Sequence, residues 1–417
     1  MRAWKLHHFI GLAMLLGAGI GLPLNLAGAA GVVDPELVRD VAHVGEELGG
    51  LFLSLLKMVV VPLIITSLVT GVTGLGDPRR LGRLGARTFA YYGLTSALAI
   101  LVGLVAVNVI RPGGGIELAA LTREASLPAA VQDGESSVWA ILWRQLRGMI
   151  PTNPVHATAE GDMLPVIFFA LLFGLFISLT GGEHGERMRA FFASAFAVMM
   201  RMTTFIIALA PFGVFGFMLF AAAGSGLDAF AALAMYMVTV GVGLAFHALV
   251  TLPTLLAVVG RRSPLAFAKA MGPALLTAFS TASSNATLPL TMTCVEERAG
   301  VSNQVSSFVL PLGATVNMDG TALYEVAAVL FIAQAYGMDL TIAQQLVVAV
   351  TALLASVGAA GIPHAGTVMM VVVLDAVGLP AEAVGLILAV DRVLDMGRTA
   401  VNVWSDATAA AVVARFE

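Results

Sequence analysis

Asp391, Arg392, Asp395, Arg398 and Asp406 lie inside residues 386–414, an apolar stretch with the length of a membrane helix. Ionisable side chains are costly in hydrocarbon, so five in one such stretch mark either chemistry or an ion-pair network. In a helix turning about 100° per residue, Asp391, Asp395, Arg398, Asn402 and Asp406 fall within an arc of about 80°. That face must turn from lipid toward protein, a water-filled cavity or a bound ion. The alternative to a polar site is a self-neutralising salt-bridge ladder that holds helices together. Arg398 is the cation on this face, because Arg392 points roughly 100° from Asp391. Its planar guanidinium suits bidentate binding of a carboxylate, and Asp395 can accept an ammonium from the same ligand.

A second polar interruption, NMDGT at 317–321, sits at the centre of apolar residues 309–335. Asn317, Asp319 and Gly320 together suggest an unwound turn whose carbonyls and carboxylate face a hard cation, and oxygen ligands suit sodium as they suit other hard cations. A glycine kink with a hydrogen-bonded aspartate reads the same way, but Asn402 and Asp406 on the other stretch favour the ion. Ser283 and Ser284, within STASSNATLP at 280–289, offer hydroxyls and backbone N–H groups near a helix terminus, where a carboxylate is favoured. A surface loop is the alternative there. A ligand with one ammonium and two carboxylates finds a partner for each in Asp395, the hairpin tips and Arg398, which describes aspartate or glutamate.

The rest of the chain has to position these groups in a membrane. Of 417 residues, 59% are hydrophobic and 12% charged, against about 25% charged in soluble chains. The 44 glycines are spread through apolar segments, where they permit close helix approach and broken backbone, so a helical bundle is expected. A single cysteine, Cys294, excludes an intrachain disulfide. The net charge of -4 carries little, since the distribution of charge decides topology.

The basic residues 1–8 run into a retained first helix at 9–29, then an acidic loop at 30–47, a second helix at 48–75 and the arginine-rich residues 77–87. By the positive-inside rule the N-terminus and residues 77–87 are cytoplasmic and the acidic loop is outside. A third helix spans 83–110, with Tyr92, Thr95 and Ser96 clustered on one side, and 111–137 reads as an external loop. Apolar segments follow at 138–182, 192–223 and 229–260, with Arg187 and Arg189 in an inside loop and residues 224–228 in an outside one. Lys57 reads as snorkelling to the interface and His247 as a packed core residue.

Two apolar segments, 264–297 and 341–375, are interrupted midway by small and polar residues, which suits hairpins entering from opposite faces. Each precedes a helix broken by polarity: Pro289 precedes Asp319 by 30 residues, and Pro363 precedes Asp395 by 32. The order therefore occurs twice in opposite membrane orientation, an inverted repeat of the kind built into secondary transporters.

These residues resemble the dicarboxylate/amino acid:cation symporter family, which includes archaeal aspartate transporters and animal glutamate transporters. The motifs are SSNATLP at 283–289, VLPLGATVNMDGTALYE at 309–325, AGIPHAG at 360–366 and DMGRTAVNV at 395–403. The resemblance implies an all-α polytopic membrane protein with eight transmembrane helices and two re-entrant hairpins in inverted repeats, the glutamate transporter homologue fold. It also implies a homotrimer in lipid. A scaffold at 1–82 and 136–225 (helices 1, 2, 4 and 5) would carry a transport domain at 83–110 and 226–417 that moves like an elevator. Ser283, Ser284, Thr321, Gly361, Asp395, Arg398, Thr399 and Asn402 would contact substrate, Asp395 holding the amino group and Arg398 the side-chain carboxylate. Sodium sites would fall on Gly313, Asn317, Asn402 and Asp406; on Thr315, Met318, Ser356, Val357 and Ala359; and on Tyr92, Thr95, Ser96, Asn317 and Asp319.

The implied function is import of acidic amino acids with sodium, Na+ being a co-transported ion, across a cytoplasmic (inner) membrane with both termini cytoplasmic. No enzymatic step, organic cofactor or nucleic-acid partner is implied. A neutral amino acid or dicarboxylate symporter and an anion channel are the alternatives. Asn285 departs from a serine usual in the family, Ala282 from an arginine of some members, and Met396 from an arginine of animal members, so that either Arg392 compensates near Asp395 or affinity and coupling differ. His364, where relatives vary, could add pH sensitivity. Glu325 is a glutamate in animal members, which couple to protons, and a glutamine in archaeal ones. It is the candidate proton carrier, against a permanently protonated group that only hydrogen-bonds.

Overall fold

The computed structural model describes residues 6–74, 82–114, 143, 147–160, 163–358, 365–380 and 383–417. Every regular element among these residues is helical. Helix α1 is Leu6–Ala29 and α2 is Pro35–Thr73. The expected acidic loop at 30–47 is mostly helix. Asp34 caps α2 by accepting from the Glu36 N–H and Pro35 takes the first helical position, so the helix starts 13 residues before the expected 48. The side chain of Lys57 lies outside the described residues.

Helix α3 (Gly82–Ile110) matches its expected span. After it come α4 (Pro154–Glu160), α5 (Met163–Thr180), α6 (Gly182–Ala208) and α7 (Ala210–Phe246). Here the expected boundaries shift. Arg187 and Arg189 belong to the first turns of α6, and the segment 192–223 is divided at Leu209, with Pro211 in the opening turn of α7. The expected outside loop at 224–228 is instead a kink within α7. Gly226 has φ 59°, a left-handed backbone that suits glycine, and the Asn25 Oδ1 lies 2.6 Å from where its Cβ would be. One wide π-helical turn, His247–Thr251, leads into α8 (Leu252–Val258).

Helices α9 (Pro264–Thr281) and α10 (Ser284–Thr293) form a helix–turn–helix. Ala282 turns the chain with φ 50°, and the Ser283 hydroxyl accepts from the Ala286 N–H to start the second arm. Helices α11 (Asn303–Val316) and α12 (Asp319–Ala335) are separated by Asn317 and Met318, whose ψ angles of 84° and 56° are not helical. A second pair, α13 (Ile342–Gly358) and α14 (Ala365–Ala376), brackets a tip at 359–364 that lies outside the described residues, and with it Ala359, Gly361 and His364. The chain ends in α15 (Val384–Val413) and a short 3-10 turn.

Helix α12 is the centre. It packs against α3, α7, α13, α14 and α15. The most apolar 18 residues of the stretch Asn303–Ala335 are 94% buried, whereas those of Gly182–Ala208 are 17% buried and peripheral. Among the described residues, five stretches, including these two, are long and apolar enough to cross a membrane, and large apolar side chains such as Leu15, Phe205, Phe212 and Leu249 face outward. The first half of α7 lies against α1 and α2. At its crossing with α2, a Cβ on Gly216 would sit 2.6 Å from the Gly45 carbonyl oxygen, and one on Gly45 would sit 2.7 Å from that of Gly216.

Gly216→Val should therefore force α2 and α7 apart at a cost of about 1–3 kcal/mol. A lowered melting temperature of the detergent-purified protein checks it, with Gly19→Ala as a control because nothing lies within 4 Å of a Cβ there.

Candidate functional site

The break between α11 and α12 and the polar face of α15 meet in the interior. Asn317, Asp319, Thr321, Asp391, Asp395, Arg398, Thr399, Asn402 and Asp406 are all buried. The break is held by side chains from two helices. From α15, the Asn402 Oδ1 accepts the Gly320 N–H at 2.7 Å, while its Nδ2 approaches Thr321 Oγ1 at 3.3 Å and Met318 Sδ at 3.4 Å. From α3, Ser96 donates to Asp319 Oδ1 at 2.7 Å and Thr95 lies 3.4 Å from Asn317 Oδ1.

A continuous chain of polar groups follows. Ser405 donates to Asp319 Oδ2 at 2.6 Å, and Asn317 Nδ2 donates at 2.9 Å both to Ser405 and to Asp406 Oδ1. Gly313 is the point where Tyr92 and Asp406 converge. A Cβ there would lie 2.8 Å from the Tyr92 hydroxyl oxygen and 2.4 Å from Asp406 Oδ1, and that hydroxyl donates to the Val309 carbonyl. The structure thus brings together Tyr92, Thr95, Ser96, Gly313, Asn317, Asp319, Asn402 and Asp406. No group of three or more His, Cys, Asp or Glu side chains that could hold a metal ion occurs among the described residues. What converges is isolated carboxylates among neutral oxygens, a donor set suited to a hard, weakly charged cation rather than a transition metal.

Thr315 and Ser356 do not join this cluster. The Thr315 hydroxyl bonds back to Leu312 and that of Ser356 to Leu353. Val357's side chain and Ala359 lie outside the described residues, so that expected set is only partly in view.

About one turn before Asn402 on α15, Arg398 is the largest fully buried side chain among the described residues. Its Nη2 donates to Asp395 Oδ1 at 2.6 Å, Nη1 lies 3.3 Å from Asp391 Oδ1, and the guanidinium carbon stands 3.9 Å from the centre of the Tyr324 ring. Tyr324 in turn donates to Asp391 at 2.9 Å. The Arg398 Nε and Nη1 have no hydrogen-bond partner among the described residues. Gly366, on the first turn of α14, makes room for them: a Cβ there would come within 2.6 Å of Nη1. Ser283 and Ser284 are buried at the turn between α9 and α10. Arg392, expected to serve the Asp395 environment, is only half buried and makes no ion pair with a described residue.

Sequence reasoning missed four participants. Ser405 lies on the charged face of α15, about 20° beyond Arg398, so a signal was present. Tyr324 sits one turn after Thr321, and Gly366 lies within AGIPHAG. His247 is the correction: it is buried, as a core residue would be, but its Nε2 lies 3.1 Å from Asp319 Oδ2. A lone histidine in an apolar run shows no partner, because the partner is 72 residues away.

This combination of an all-helical interior, a broken helix and buried charges defines a membrane transporter class, and the chain belongs to the Sodium:dicarboxylate symporter family, whose profile matches residues 6–416. It is 36% identical to the proton/glutamate-aspartate symporter of Escherichia coli (strain K12), covering 88% of this chain and 84% of that one. It is 39% identical to excitatory amino acid transporter 3 of Oryctolagus cuniculus, covering 88% and 78%, and 34% identical to the proton/sodium-glutamate symport protein of Geobacillus stearothermophilus, covering 98% and 95%.

Asp391→Asn should keep an acceptor for Tyr324 but leave Arg398 with one carboxylate fewer, destabilising the fold by about 3 kcal/mol. Thermal unfolding in detergent measures this; an unchanged melting temperature would show that Asp395 alone neutralises the guanidinium.

Proposed function

We propose that the chain is a secondary active symporter that carries aspartate or glutamate into the cell with sodium ions. The observation that carries this reading is the setting of Arg398, which is buried beside Asp395 and Asp391 with Nε and Nη1 lacking hydrogen-bond partners among the described residues. A ligand carboxylate gives those N–H groups acceptors, and a ligand ammonium gives Asp395 a cation in place of the guanidinium. The names of the relatives point to the same solutes.

Sodium coupling is supported by the balance of buried charge. Among the described residues, Asp319, Glu325, Asp391, Asp395 and Asp406 are buried, with Arg398 as the one buried arginine or lysine. Cations carried with the substrate offset that excess, which would otherwise be costly away from water. Asn317, Asp319, Asn402 and Asp406, with Tyr92, Thr95, Ser96 and Gly313, would hold them, and Thr315, Met318, Ser356, Val357 and Ala359 would form a further site.

The repeated order of helix–turn–helix and polar helix, in α9–α12 and again in α13–α15, supports two re-entrant hairpins of opposite orientation within an eight-span fold. On this reading Ser283, Ser284 and Gly361 contact substrate together with Thr321 and Thr399. Residues 1–82 and 136–225 form the scaffold of a trimer, and 83–110 with 226–417 form the moving domain. Both termini face the cytoplasm. The role is that of a carrier, not an enzyme.

Proteoliposomes holding the purified protein should accumulate labelled aspartate when sodium is high outside, and fail to do so when neither sodium nor pH differs across the membrane. Arg398→Ala should weaken aspartate binding by several kcal/mol, on the order of 2–5, and admit neutral amino acids. An unaltered aspartate affinity would assign Arg398 to structure alone.

Glu325 extends the proposal to protons. It is buried one turn beyond Thr321, and neither carboxyl oxygen has a hydrogen-bond partner among the described residues. With sodium equal on both sides, an acidic exterior should drive wild-type uptake, and Glu325→Gln should lose that response. Indifference of the wild type would remove proton coupling; a response persisting in the variant would move the proton to another group.

A further inference from the structure

We infer that His247 is a positioning residue for Asp319, and that the π-helical turn before Pro253 puts it there. The inference rests on the sodium reading of Asp319. In a regular helix the Leu249 carbonyl would meet the Pro253 ring, and Pro253 has no N–H to give. The helix widens at His247–Thr251 instead, a form that recurs at functional sites. The Ala248 carbonyl, which could look to residue 253 for a π-type partner, accepts from Trp404 Nε1 of α15 at 3.0 Å. The widened turn is thereby tied to the helix that carries Asn402, Ser405 and Asp406.

His247 leaves this turn with its Nε2 3.1 Å from Asp319 Oδ2, both side chains being wholly buried. Ser405 donates to the same oxygen at 2.6 Å and Ser96 to Oδ1 at 2.7 Å. A carboxylate accepts and does not donate, so Nε2 carries the hydrogen. The Nδ1 has no hydrogen-bond partner among the described residues, so the Asp319 contact is the one the ring makes there. Three donors from three helical segments take three of the roughly four lone-pair directions of the carboxylate. The rotamer of Asp319 is then fixed, and the remaining direction is what it can offer to a cation. Among the described residues, His247 supplies the one donor to this carboxylate from outside α3 and α15.

The test is aspartate binding to the purified full chain, titrated with sodium chloride at constant ionic strength. His247→Leu should raise the half-saturating sodium concentration by about tenfold, the effect of one hydrogen bond to a charged group, while aspartate affinity at saturating sodium stays within about twofold. His247→Gln, whose amide N–H can reach Asp319, should stay within about threefold of wild type. A well-folded leucine variant with wild-type sodium dependence would overturn the assignment. Equal impairment of the glutamine and leucine variants would overturn it too, since bulk and not the hydrogen bond would then matter. If the leucine variant does not fold, His247→Asn, one methylene shorter than glutamine, takes its place with the same expected shift. A wild type whose aspartate binding ignores sodium would instead overturn the sodium reading and this inference with it.

Discussion

Backbone that leaves a helix at membrane depth must find its partners inside the protein, and the architecture answers to that constraint. Asn317 and Met318 are the residues that leave. The Gly320 N–H is taken by Asn402, and the side chains on either side of the break are held by Ser96, Thr95, Ser405 and Asp406. Those partners come from α3 and α15, which have to lie against the break at close range. Helix α12 is accordingly buried on all sides.

The same geometry joins the two halves of the polar core. Arg398 and Asn402 are one turn apart on α15, a rise of about 6 Å. Asn402 touches Met318, Gly320 and Thr321 at once, so the groups around Arg398 and those around Asp319 share a rigid support and one bridging amide. A ligand that shifts α15 or the break changes both environments. Thermodynamic coupling between a substrate and an ion needs a shared element of this kind, and its effect must be reciprocal.

Much of this was legible in the sequence because polarity is rare there. Against an apolar background, Asp391, Asp395, Arg398, Asn402 and Asp406 declare a helix face by spacing alone, and NMDGT declares a break. The helix–turn–helix at 264–293 was visible from the serine-rich interruption between apolar arms. The boundaries at 192–260 were not, since a run that is apolar on every face has no period to read, and Leu209 and Gly226 differ little from their neighbours. Pro211 was the available signal. The acidic residues at the start of α2 resemble a loop when charge alone is weighed, although Asp34 and Pro35 form a helix start signal. Contacts between distant single residues, such as His247 with Asp319 or Gly366 with Arg398, leave no local trace in a chain.

The kink at Gly226 has a mechanical meaning. Helix α7 lies against α1 and α2 in its first half, and its second half reaches α12, where Tyr236 stacks on Phe331 at 4.8 Å and Gly243 meets Leu323. Beyond the kink the helix runs for about 30 Å. A change of about 20° in its direction at that glycine would correspond to about 10 Å at the far end. The two dihedral angles of Gly226 therefore set where the second half of the helix meets α12, and any side chain added there would meet Asn25.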